Sequence, residues 1–130
     1  MTNHLLTPEH LSTAVVVLND ESRIAYLNPA AENLFGLSSK SLLGHPLQQV
    51  FTNTAQLSNA MRQAIHNRAS YIEHDLTLGT QTHGKLHLRC TATPLQLSGD
   101  CLLLEFHPID RSLKLAREEQ MLDQTQANRL

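Results

Sequence analysis

The sequence predicts an α+β domain, an antiparallel sheet of five strands with its helices gathered on one face. Three observations carry this reading. Strand-like runs occur at Ala14–Asn19, Arg23–Leu27, Tyr71–Leu78, Gly84–Leu95 and Cys101–Phe106. The polar turns Asp20-Glu21-Ser22 and Ser98-Gly99-Asp100 join neighbouring runs as hairpins. The interior helical signals all fall in one block, between the second run and the third, so the strands are interrupted once.

Each element has a local cause. Thr7, Pro8 and Glu9 read as a cap, a first helical residue and a first-turn acid, within an N-terminal helical segment spanning 1–13. That helix is too short to stand alone and must dock on something. Ala14–Asn19 is rich in β-branched apolar residues, which predicts a buried strand opening a domain at 14–108. After the second strand, Asn28 suits an N-cap and Pro29 the first helical position, where its missing N–H costs nothing. Ala30, Ala31, Glu32, Asn33, Leu34 and Phe35 carry about one and a half turns, and Gly36 supplies the left-handed residue that ends them. The pattern repeats with Ser38 or Ser39 as cap, Leu42 and Leu43 packing inward and Gly44 as the stop. His45-Pro46 breaks the chain again.

Gln56–Asn67 places Leu57, Ala60, Met61, Ala64 and Ile65 three and four apart, the spacing of an amphipathic helix. Gly84–Leu95 alternates, with Leu86, Leu88, Cys90 and Ala92 on one face and Lys85, His87, Arg89, Thr91 and Thr93 on the other. Phe35 and Leu104 are expected to be buried between sheet and helices. From Asp110 onward there is no Gly or Pro, and Glu, Gln, Leu, Ala and Arg dominate. This predicts a long exposed helix within a helical linker at 109–130. Pro108 fits the end of the last strand, and Asp110 is the available N-cap for that helix. Leu115 and Leu122 lie seven apart on it, while Leu113 and Ala116 begin a competing seam; neither makes a strong heptad, and a weak parallel homodimer is expected, aided by the Thr7–Leu11 helix.

Composition excludes several functions. Ten Lys and Arg against twelve Asp and Glu give 10 − 12 = −2, so there is no basic field for nucleic acid. The longest apolar run, Ala14–Leu18, is far short of the ~20 residues of a membrane span. The first ten residues lack a basic stretch followed by an apolar one, so no secretory signal is expected. With two cysteines this points to reduced thiols and a cytoplasmic protein.

No pattern in the chain points to catalysis. Gly79 to Lys85 has the glycine and lysine spacing of a phosphate-binding loop, but Leu86 offers no hydroxyl and a strand follows instead of a helix. Glu73, His74 and Asp75 are consecutive on a strand, which sends Glu73 and Asp75 one way and His74 the other. The eight histidines form no metal pattern; His66, ending the longer helix, is the one placed to ligate a haem, and a surface or capping histidine is the preferred reading. A turn on Ser98-Gly99 would pair Cys101 with Gln96, and one on Gly99-Asp100 would pair it with Ser98; neither brings Cys90 near.

The stretch Tyr26-Leu27-Asn28-Pro29-Ala30-Ala31-Glu32, followed by Leu34-Phe35-Gly36 and Leu43-Gly44, resembles the helix corner of PAS domains. The resemblance covers roughly Leu11 to Asp110 and implies a PAS fold with sheet order 2-1-5-4-3 and a C-terminal output helix. Leu102 to Arg111 and Arg117 to Gln120 further resemble the junction of nitrogen-regulation sensor histidine kinases of the NtrB type. This implies a sensory, dimerising domain whose signal leaves through Pro108, Ile109 and Asp110. It also implies a parent that autophosphorylates with ATP and Mg and passes phosphate to an NtrC-type response regulator under control of a PII signal protein. The family's phosphorylation motif and ATP-binding domain are not in this sequence, so the chain itself is expected not to be an enzyme. No cofactor is expected either, since Asn33–Gly44 lacks the cysteine of flavin photosensors. The alternative is a small-molecule or haem-binding PAS receptor domain of another signalling protein.

Overall fold

Asn19 sets the first hairpin. Its Oδ1 accepts the N–H groups of Glu21 and Arg23, both at 3.0 Å, and Ser22 turns the corner at φ 62°. The computed structural model describes residues 13–96 and 99–109. The hairpin joins β1 (Ala14–Leu18) to β2 (Ile24–Leu27). Four helices follow: α1 (Pro29–Phe35), α2 (Ser39–Leu42), α3 (Leu47–Val50) and α4 (Ala55–Asn67). Then come β3 (Tyr71–Thr80), β4 (Gly84–Gln96) and β5 (Asp100–Pro108). The sheet has the order β2-β1-β5-β4-β3, with every pair antiparallel. This is the expected α+β architecture.

Two registers differ from expectation. Leu95 faces Cys101 and Gln96 faces Asp100, which leaves residues 97–99 in the connection and rules out both registers considered for this hairpin. Cys90 faces Phe106, and both cysteines are free thiols. In β3 the register shifts between Glu73 and Leu76, where β3 carries one extra residue. The bulge interrupts the alternation expected for Glu73, His74 and Asp75, and Glu73 comes to share the face of Cys90.

The inner face of the sheet packs against the helices. Val16, Leu18, Leu88, Ala92, Leu104 and Phe106 are all at most 1 % exposed. Phe35 and Leu104 are fully buried, as expected. Phe35 sits edge-on between two other rings, with centroids 4.8 Å from Phe51 and 5.3 Å from Phe106. On α4 the stripe Leu57, Ala60, Met61 and Ala64 is buried, but Ile65 is 58 % exposed. Ile65 falls in the last turn of α4, where it borders a cleft over Leu18, Pro94 and Leu102. Leu43 is also exposed: it is the C-cap of α2 with ψ 134°, so the helical phase no longer carries its side chain inward.

Linkers in the helical block pair with both sheet edges. Arg23 bridges Pro46 beside β2, and Ile24 exchanges backbone bonds with Gly44 and His45. Thr52 bridges Gly79 of β3 in both directions, at 3.0 and 2.9 Å, and a Cβ on Gly79 would run into the Thr52 side chain. Ala14 pairs with Phe106, so the two ends of the sheet domain lie side by side. Pro108 closes β5, and Ile109 still donates its N–H to the His87 carbonyl at 2.9 Å. The expected helix at Thr7–Leu11, the Asp110 cap, the output helix and its dimer residues Leu113, Leu115, Ala116 and Leu122 lie outside the described residues.

Candidate functional site: the Asn28 corner and the filled interior

Asn28 is fully buried and ties three elements together. Its Oδ1 accepts the Ala31 N–H at 2.9 Å, the N-cap bond, and also the Val15 N–H at 2.9 Å. Its Nδ2 donates to the Thr13 carbonyl at 2.8 Å. The side-chain amide thus pairs with β1 as a strand residue would, while opening α1. Pro29 occupies the first helical position, and Ala31 is fully buried beneath it. Ala31 has to be small there, since it lies within the closed core around Phe35.

Glu32 acts one step further on. Its carboxylate accepts the Ser39 N–H at 2.7 Å, at the start of α2. Ser38, the N-cap of α2, makes no side-chain cap bond, so Glu32 supplies the acceptor that Ser38 does not. Asn28, Pro29, Ala31 and Glu32 are therefore brought together as one corner fixing β1, α1 and α2. Gly36 ends α1 at φ 68°, and a Cβ there would stand 2.6 Å from His83 Nε2. The β3–β4 hairpin tip leans on this point, with Thr82 Oγ1 donating to the Gly36 carbonyl at 3.2 Å.

The interior that faces this corner is lined by apolar side chains. His66 is not part of it: it is exposed in the last turn of α4, off the buried stripe of that helix. Cys90 is fully buried beside Phe106, and its thiol is pushed up to about 12 by burial, with the Glu73 and Glu105 carboxylates adding to it. A thiol held neutral in this way is a packing residue, not a nucleophile. Among the described residues there is no group of three or more His, Cys, Asp and Glu able to hold a metal ion. No helix among them is long and apolar enough to cross a membrane.

One residue escaped the sequence reading. Gln56, exposed near the start of α4, accepts the Thr77 N–H at 2.8 Å and donates to the Asp75 carbonyl at 3.0 Å, closing part of the outer edge of β3. Nothing local to Gln56 signals this, because its partners are about twenty positions away.

Fold and corner together define an α+β module with its helices on one face of an antiparallel sheet, and the family model described as "PAS fold" matches residues 9–112. The chain belongs to the PAS-fold family. Within it, the chain is similar to part of nitrogen-regulation kinases. It is 29% identical over 109 residues to the sensory histidine kinase/phosphatase NtrB of Salmonella typhimurium, covering 84% of this chain and 30% of that protein. It is 30% identical over 122 residues to NtrB of Vibrio alginolyticus, covering 93% of this chain and 35% of that protein. The chain thus spans about a third of the length of these curated relatives. Among solved structures, the PAS domain of nitrogen regulation protein NR(II) from Vibrio parahaemolyticus matches with a TM-score of 0.64 and 27% identity, over 84% of this chain and 98% of that one.

Proposed function

We propose that this chain is the sensory and dimerising PAS domain of a cytoplasmic two-component sensor histidine kinase of the nitrogen-regulation type. The observation that supports this best is the joint similarity in sequence to NtrB and in structure to the PAS domain of nitrogen regulation protein NR(II), each covering 84% of this chain. The chain carries no catalytic residues of its own in this reading. The parent supplies the chemistry: it autophosphorylates with ATP and Mg, phosphorylates an NtrC-type response regulator and answers to a PII signal protein. The domain works as a homodimer through the helix bearing Leu113, Leu115, Ala116 and Leu122, and it uses no haem or flavin.

Its signal leaves through Pro108, Ile109 and Asp110. The bond from Ile109 to His87 keeps the exit attached to β4 for one residue beyond the end of β5, so a shift in β4 is felt at the exit. The test is made in the full-length parent. Asp110→Ala removes an N-cap worth about 1 kcal/mol, too little to unfold the sheet. The expected outcome is a folded domain with an altered ratio of kinase to phosphatase activity toward the response regulator. Wild-type rates in both directions would reduce the junction to a structural cap.

A further inference from the structure

The inner face of the sheet is open at one end. A cleft of about 630 Å³ lies there, between the last turn of α4, the β1–β2 turn and the overhanging ends of β4 and β5. Its floor is the end of the apolar core: Leu18 and Leu102, which are almost fully buried, with half-buried Pro94 beside them and Ile65 as an exposed wall. The volume falls within the range of small-molecule sites, roughly 300–1,000 Å³.

The lining of the cleft carries charge of both signs. Asp20 follows β1, Asp100 opens β5, and Arg68 caps α4 with φ 52°. A Cβ on Gly99 would stand 3.5 Å from Asp20 Oδ2, which places that carboxylate against the residue preceding Asp100. The two acids therefore sit on neighbouring turns, with the guanidinium on the helix beyond. Among the described residues none of these three side chains has an ion pair or a hydrogen bond: the salt bridge there joins Arg23 to Glu21. The cleft thus offers acceptors for an ammonium group, a planar fork for a carboxylate and an apolar floor.

We propose that this cleft binds a free α-amino acid with an aliphatic side chain. The ammonium is held by Asp20 and Asp100, the carboxylate by Arg68, and the side chain lies on Leu18, Leu102 and Ile65. An anion alone would meet two carboxylates with only one cation to offset them, and a simple amine would leave Arg68 unused. The zwitterion is the head group that matches all three charges. The site deepens the sensory reading above, because it gives the domain something to sense, and it rests on that reading for its purpose.

The test uses the isotope-labelled chain and three probes: L-leucine, isopentylamine (leucine without its carboxylate) and isocaproate (leucine without its amine). Leucine is expected to shift the backbone amides of Ile65, Arg68 and Leu102 saturably, with each half-molecule bound at least roughly tenfold more weakly. Arg68→Gln should abolish the preference for leucine over isopentylamine, and Asp100→Asn the preference over isocaproate. Both positions are on the surface, so the same spectra report that the fold is intact. The proposal is overturned if leucine causes no saturable shift up to about 10 mM, if a half-molecule binds as well as leucine, or if neither variant changes the preference. Leucine binding that leaves the parent's kinase and phosphatase rates unchanged would sink the sensory reading and leave the site standing.

Discussion

Two side-chain amides in this domain do the same job in opposite surroundings. Asn28 donates to the carbonyl of Thr13 and accepts from the N–H of Val15; Gln56 donates to the carbonyl of Asp75 and accepts from the N–H of Thr77. In each case a carboxamide spans residues i and i+2 of a strand, as a paired backbone would. Asn28 does so with no exposure to solvent and adds a third bond to α1. Gln56 does so on the surface. Water can replace Gln56 when it is removed; it replaces Asn28 poorly, because the Asn28 side chain and Ala31 are buried and Thr13 and Val15 are half-buried. The same hydrogen-bond pattern is therefore essential at one edge of the helical block and merely helpful at the other.

The largest expected effect follows from this difference. Asn28→Ala strands the Val15 N–H and the Thr13 carbonyl and takes the side-chain cap from α1, leaving the Ala31 N–H only the backbone carbonyl of residue 28; it should cost about 3–5 kcal/mol by denaturant melt. A loss no larger than that of Gln56→Ala would break the comparison. Asn28→Asp keeps the acceptor but sets a buried carboxylate oxygen against the Thr13 carbonyl, so at neutral pH it should cost no less than Asn28→Ala. A clearly smaller loss would mean that water reaches the Thr13 side of the corner.

Cys90 tests whether the interior near β4 is as closed as Asn28 implies. Its thiol stays protonated in the folded state up to about 12, while in the unfolded chain it ionises near its ordinary value of 9.0. The raised value means that this stabilisation is fully present below about pH 9 and declines as pH rises toward 12. At pH 10 the loss relative to neutral pH should be about 1.4 kcal/mol, and Cys90→Ala should remove that part of the pH dependence. An identical alkaline slope in the variant would mean that water reaches the thiol. The smallest effect is expected for Gln56→Ala, about 0.5–1 kcal/mol, with faster hydrogen exchange confined to Thr77 and its neighbours. Exchange that quickens across the whole of β3 would promote Gln56 to the rank of Asn28.

The Asn28 corner was legible in the sequence because capping is local: Asn-Pro followed by a short apolar helix and Gly36 contains its own explanation. The five strands were legible for a similar reason, since alternation is read within one segment. What was missed depends on distant partners. The double role of Asn28 needs β1, thirteen positions back. Gln56 needs β3, and the bulge between Glu73 and Leu76 appears only against β4. Ile65 continues the apolar spacing of α4 faithfully, yet it borders an open cleft and not the packed core. The β4–β5 register was misjudged because Ser98-Gly99-Asp100 allows more than one turn, and the pairing of Leu95 with Cys101 selects among them.

The pairing of Ala14 with Phe106 has a mechanical consequence. The ends of the sheet domain leave from adjacent antiparallel strands about 4.8 Å apart and on the same side. Tension applied between the two flanking segments would not load the β1–β5 ladder in shear. It would peel β1 from β5 one bond at a time, starting at Ala14 and Phe106, because the ladder bonds run perpendicular to the strands. Pulled this way the domain yields at low force by an ordered zipper, and the first bonds to open are those nearest the junction at Pro108.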